Sequence, residues 1–93
     1  MDIAPLRTRL HSLVDDVVCQ GVRYGFEISI LRDGRHALGM VRSTPADAPL
    51  LGGVYRNRSE LVRRVQTDLA RQGVPPAVVR YVTESLHLMT AYA

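Results

Sequence analysis

From Val22 to Leu31 the chain alternates: Val22, Tyr24, Phe26, Ile28 and Ile30 are apolar, and Arg23, Gly25, Glu27 and Ser29 stand between them. A period of two sends successive side chains to opposite faces of a strand, so this segment demands a sheet with one buried face. A pairing strand must lie beside it and an apolar layer must cover it. Asp33-Gly34 is a hairpin turn signal directly after it. A two-residue turn would set Ile28 opposite Gly39 and Ile30 opposite Ala37. A three-residue turn, Arg32-Asp33-Gly34 with Gly34 as a bulge, sets Ile30 opposite His36, Ile28 opposite Leu38 and Phe26 opposite Met40. The second register gathers the larger side chains on one face and is the one expected. The second strand then runs to about Arg42.

The segment Ile3 to Gln20 reads as a helix. Ile3, Leu6, Leu10, Leu13, Val14, Val17 and Val18 recur at helical spacing, Asp2 can cap the start, and Gly21 supplies a stop. On that helix Cys19 falls on the polar side with Ser12 and Asp16. After the hairpin, Ser43 to Gly53 is punctuated by Pro45, Pro49, Gly52 and Gly53 and reads as a loop. Leu50 to Arg56 offers a short third strand around Val54 and Tyr55, weakened by its paired glycines.

Asn57 and Glu60 form a capping-box pattern at the head of a helix that Gly73 ends. Its apolar stripe, Leu61, Val62, Val65 and Leu69, is narrow, so most of its circumference faces water. Pro75-Pro76 precedes a last helix running to about Thr90. There Val78, Val79, Val82, Leu86 and Met89 make one stripe, which Tyr81, Leu88 and Tyr92 widen to about half the circumference. The expected fold class is therefore α+β: an N-terminal helix, an antiparallel hairpin with the optional third strand, and two C-terminal helices packed on one face of the sheet.

The length, 93 residues, allows a single domain spanning 1–93 with one modest core. The lone Cys19 cannot staple the fold and fits a reducing compartment. No basic leader followed by an apolar run is visible, and no stretch nears the ~20 apolar residues of a membrane span. A cytoplasmic protein with no membrane contact is the expectation.

The residues for catalysis are scattered. No Gly-x-Ser-x-Gly elbow, Cys–His signature or phosphate-cradling glycine loop occurs. Asp15 and Asp16 are adjacent, and on a helix adjacent side chains diverge, so they read as a solvated offset to Arg7 and Arg9. His11, His36 and His87 never fall four residues apart, and one cysteine completes no zinc pattern. No metal, no cofactor and no enzymatic activity are expected.

Binding remains. The wide apolar arc on the last helix suggests a protein partner or a second copy, with Tyr81, Leu88 and Tyr92 as the contact face of a homodimer. The 12 basic residues are all arginine and the net charge is +3. Arg42, Tyr55, Arg56, Arg58, Arg63, Arg64 and Arg71 lie on or near the first C-terminal helix. They form the candidate surface for nucleic acid or an acidic partner. Ion pairing along that helix, Glu60 and Asp68 each four residues from Arg64, is the competing use of these arginines. The leading expectation is a small regulatory or inhibitory binding protein acting through protein–protein contact as a homodimer. Nucleic-acid binding is the alternative.

Overall fold

The computed structural model describes residues 9–43 and 47–91, with side chains from 11–43 and 47–89. It shows four antiparallel strands in sequential order, followed by two helices. The strands are β1 (Arg9–Cys19), β2 (Val22–Leu31), β3 (His36–Arg42) and β4 (Ala48–Tyr55). Helix α1 (Arg58–Arg64) runs on into a π-helical turn (Val65–Leu69), and α2 (Pro76–Ala91) closes the fold.

From Arg9 to Cys19 the expected N-terminal helix is replaced by a strand, and its expected first turns, with Asp2, Ile3 and Leu6, lie outside the described residues. Leu13, Val14, Val17 and Val18 satisfy both periodicities, because pairs three and four apart on a helix also fill both faces of a strand. The decision falls to chemistry: Val14, Val17 and Val18 are β-branched and suit a pleated surface, and β2 needs a partner. Gly21 ends no helix. Gln20 and Gly21 have φ of 53° and 78° and turn β1 into β2 with Cys19 opposite Val22. Two consecutive positive φ values are the signature of a tight two-residue hairpin turn. Cys19 accordingly lies on the helix side, packed against the core, while Ser12 and Asp16 lie on the other face.

The β2–β3 hairpin adopts the register expected from side-chain size: Ile30 pairs with His36, Ile28 with Leu38 and Phe26 with Met40. Leu31 N–H donates to Arg35 at 2.8 Å, Gly34 N–H donates to Leu31 at 3.0 Å, and Gly34 has φ 91°. The third strand sketched at Leu50 to Arg56 is a full fourth strand that starts earlier, at Ala48. Pro49 is tolerated because β4 is an edge strand, and the ladder slips between Met40 and Val41 beside it. Of the loop expected at Ser43 to Gly53, residues 48–53 belong to β4, and 44–46 lie outside the described residues.

Both helices cover one face. Tyr24, Phe26, Ile28 and Ile30 of β2 and His36, Leu38 and Met40 of β3 are buried beneath Leu61, Val65, Leu69, Val78, Val82 and Leu86. Leu61, Val65 and Leu69 are each 0% exposed. Side chains four apart on an α-helix drift by about 40°, and the wider π turn over Val65–Leu69 returns Leu69 to the stripe.

The ends of α1 are closed by local bonds. Asn57 Oδ1 accepts from Glu60 N–H at 2.9 Å, and Glu60 Oε2 accepts from Arg56 N–H at 3.0 Å. At the other end Gly73 has φ 79°, Val74 N–H reaches Leu69 O at 3.0 Å, and Gly73 N–H reaches Ala70 O at 3.1 Å. That pair of bonds is a Schellman stop, with buried Val74 packing back as such stops favour.

Candidate functional site

Among the described residues, both helices lie on one face of the sheet and no element covers the other. Strand alternation builds that face from the residues between the core positions. On β1 these are Ser12, Val14, Asp16 and Val18; on β2 Arg23, Gly25, Glu27 and Ser29; on β3 Ala37, Gly39 and Val41; on β4 Gly52 and Val54. An uncovered face of an antiparallel sheet is ordinarily polar. Here Val14, Val18, Val41 and Val54 are 74%, 55%, 43% and 54% exposed. A shallow basin of about 620 Å³ lies between Val14 and Val41, with Gly25, Gly39, Asp16 and Glu27 also in its lining.

The floor of this face is glycine. The register sets Glu27, Gly39 and Gly52 in one row across β2, β3 and β4, and sets Gly25 beside Val41 in the next. A Cβ on Gly39 or Gly52 would meet nothing within 4 Å, and one on Gly25 would touch Val41 Cγ2 at an ordinary 3.9 Å. None of the three has a positive φ. Neither backbone shape nor internal packing requires glycine at these positions, and glycine in a strand costs roughly 0.5–1 kcal/mol relative to alanine. Glycine inside a strand also marks places where another backbone or a ligand comes close.

Charge lies on this face as well: Glu27 stands between Val14 and Gly39, and Asp16 lines the same basin. Asp16 and Arg23 form an ion pair on neighbouring strands. Asp15, next along β1, points to the helix side and accepts a hydrogen bond from the Tyr81 hydroxyl at 2.5 Å. That bond, with a second from Asp16 N–H, holds the Asp15 carboxyl below its ordinary range. The same bond pushes the Tyr81 hydroxyl up. The Tyr81 ring meets Phe26 edge-on with centroids 6.0 Å apart.

No protein-family model, curated protein or solved structure matches this chain.

The residues assigned to a homodimer face separate. Tyr81 is 38% exposed, yet its ring and hydroxyl are both engaged within the chain, whereas Leu88 is 61% exposed. Both line a groove of about 320 Å³ between α2 and β1, with Leu13, Asp15 and Met89. Tyr92 lies outside the described residues.

The arginine set divides as well. Arg56 and Arg63 share a basin at the head of α1, and Arg58 joins Arg63 in the next hollow. Arg64 reaches Asp68 at 3.6 Å, the ion pair expected from their spacing, while Glu60 is spent on the cap. Tyr55 lies along the helix side of β4, close enough that a Cβ on Gly53 would stand 3.3 Å from its hydroxyl. Burial there pushes the Tyr55 hydroxyl up, against the pull of Arg64. Arg42 and Arg71 belong to the other end of the sheet: Arg42 pairs with Ala48, and Gln72, beside Arg71, donates to Leu50 O at 2.6 Å.

Among the described residues no three His, Cys, Asp or Glu side chains gather as a metal site, and no helix is long and apolar enough to cross a membrane. His36 is buried with Nδ1 3.1 Å from Gly34 O, and Nε2 lacks a partner.

The valine-and-glycine face escapes a reading of the sequence because its parts look like other things. Val14 and Val18 read as the stripe of a helix, Gly52 as loop punctuation, and Val54 as part of a weak strand. The recoverable signal is Gly25 and Gly39, which the hairpin register already places on the side away from Phe26, Leu38 and Met40.

Proposed function

We propose that this chain is a non-enzymatic binding protein that regulates or inhibits a macromolecular partner through protein–protein contact, working as a homodimer, with its uncovered sheet face as the recognition surface. The observation that carries the reading is the set of four exposed valines around a glycine floor. Exposed apolar side chains gathered on one face, rimmed by polar groups, mark interaction sites. The valines supply the apolar part of a contact, Asp16 and Arg23 supply part of its polar rim, and Glu27, between Val14 and Gly39, sets one carboxylate within it. The glycines admit a partner's side chains or backbone close to the sheet.

The test compares the proteins captured by the tagged wild-type chain and by Val41→Asp, after circular dichroism has shown both folded. The reading expects a discrete partner retained by the wild type and lost by the variant. An identical set of captured proteins would contradict it.

A second reading rests on Arg56 and Arg63 sharing one basin at the head of α1. Such a pair could neutralise phosphates, with affinity falling steeply as salt rises. Arg56→Glu with Arg63→Glu would then release bound nucleic acid, visible as lost absorbance near 260 nm. Unchanged absorbance at low salt would remove this reading. Arg42, Arg71 and the inward-lying Tyr55 fall outside such a patch.

A further inference from the structure

β1 is an outer strand of an open sheet, and among the described residues no other strand pairs with its free edge. It is 11 residues long and carries apolar side chains on both faces, Leu13 and Val17 toward the helices and Val14 and Val18 away from them, while its inward carboxylate, Asp15, is held by the Tyr81 hydroxyl. Long, two-sided apolar edges are templates for strand addition unless a protein shields them with proline, bulges or inward charge. The pairing of β1 with β2 is irregular between Arg9 and His11 and regular from there to Cys19.

We propose that two copies of this chain pair antiparallel along β1, with Leu13 on the two-fold axis. The inference rests on the homodimer reading above and gives that dimer its interface. A two-fold axis normal to the sheet keeps the helix side of one copy level with the helix side of the other. Opposed residues must then lie on the same face, so the axis passes through a residue. With the axis at Leu13, His11 of one copy faces Asp15 of the other on the helix side, and Ser12 faces Val14 on the open side. Opposed unlike groups stabilise such a ladder. An axis at Val14 would set the Asp15 carboxylate against Leu13. An axis at Ser12 would set His11 against Leu13 and draw the irregular stretch near Leu10 into the central pairs. The order of charge along the strand, histidine first and aspartates later, is the order an antiparallel copy reverses into complementarity.

The helix layer agrees. Leu88 overhangs the groove that Leu13, Asp15, Tyr81, Glu84 and Met89 also line. In the dimer the Leu13 pair stands at the axis beneath the two Leu88 side chains, giving the exposed leucine apolar neighbours. The product is an eight-stranded sheet by doubling the four, with both valine faces left open for a partner.

Light scattering and disulfide trapping test this in the full chain carrying Cys19→Ser. Directly opposed residues hold Cβ atoms about 4.5–5.5 Å apart, near the spacing a disulfide takes. Expected results are a wild-type dimer, rapid cross-linking of Leu13→Cys under mild oxidation, none of Val41→Cys, and a halved mass for Leu88→Glu. Should Leu13→Cys fail to fold, the double variant Ser12→Cys with Val14→Cys decides, because both positions are solvent-facing and oppose each other across the axis. A monomeric wild type, or no cross-link in either variant, overturns the interface and leaves the recognition face to the Val41→Asp comparison. A dimer trapped through Val41→Cys overturns both, since self-association would then occupy the valine face.

Discussion

The hydroxyl of Tyr81 on α2 donates to Oδ2 of Asp15 on β1 at 2.5 Å, joining the last helix to the first strand across 66 positions of sequence. The bond lowers the Asp15 carboxyl and raises the Tyr81 hydroxyl. A depressed carboxyl adds stability that is present above its unfolded pKa of about 4 and is lost as pH falls through the lower folded value. A raised tyrosine adds stability that is present below its unfolded pKa of about 10 and is lost as pH rises through the higher folded value. Tyr81→Phe keeps the ring against Phe26 and removes the bond. The stability gap between wild type and Tyr81→Phe is expected to be widest between these two limits and to close in acid, as read from urea midpoints across pH. A gap of constant size down to strong acid would show that the bond is not its source.

Leu86 is fully buried against the sheet. Leu86→Ala removes that packing and leaves a cavity, an expected loss of about 2–5 kcal/mol. A domain of this size has on the order of 5–14 kcal/mol in reserve, so the variant is expected to melt at least about 10 °C below the wild type by circular dichroism.

Gln20 holds φ 53° at the first position of the β1–β2 turn. The left-handed region costs a side chain such as glutamine roughly 1–2 kcal/mol, and asparagine followed by glycine is the favoured pair for this turn. Gln20→Asn is therefore expected to raise the urea midpoint by a fraction of that cost, with no change in the far-ultraviolet spectrum.

Leu88 and Tyr81 lie on one groove but differ in what a charge would do. Leu88→Glu adds a carboxylate at an exposed site and is expected to change monomer stability by under about 0.5 kcal/mol while dissociating the dimer. Tyr81→Glu sets a carboxylate beside Asp15 and is expected to destabilise the monomer itself. Equal stability losses in the two variants, measured by urea unfolding at low protein concentration, would make Leu88 part of the core.

The parts of this fold that a reader of the sequence can recover are those fixed by nearest neighbours. Asn57 and Glu60 write the head of α1, and Gly73 writes its end. The β2–β3 register follows from matching Phe26, Ile28 and Ile30 with Met40, Leu38 and His36. β1 is misread because the spacing of Leu13, Val14, Val17 and Val18 fits a helix, and Gly21 serves a helix stop and a tight hairpin equally, each needing positive φ. Only pairing with β2, a tertiary contact, resolves it. Once β1 becomes a strand, two of its three valines, Val14 and Val18, leave the core for the open face, and the candidate site moves there from the last helix. The arginines were legible as residues but not as a patch, because β4 and α1 run antiparallel and carry Arg56 and Arg71 to opposite ends.

Gly39→Val tests the recognition face most directly, because fold and function pull it in opposite directions. A Cβ at Gly39 would meet nothing within 4 Å, and a β-branched residue suits the strand, so stability is expected to rise by about 0.5–1 kcal/mol. The same side chain fills the floor between Val14, Val41 and Val54. The decisive measurement is the affinity of this variant for the captured partner, taken on the preparation whose urea midpoint has been recorded. The account predicts a more stable protein whose partner binding falls at least tenfold. A more stable protein that binds its partner as tightly as the wild type would contradict it.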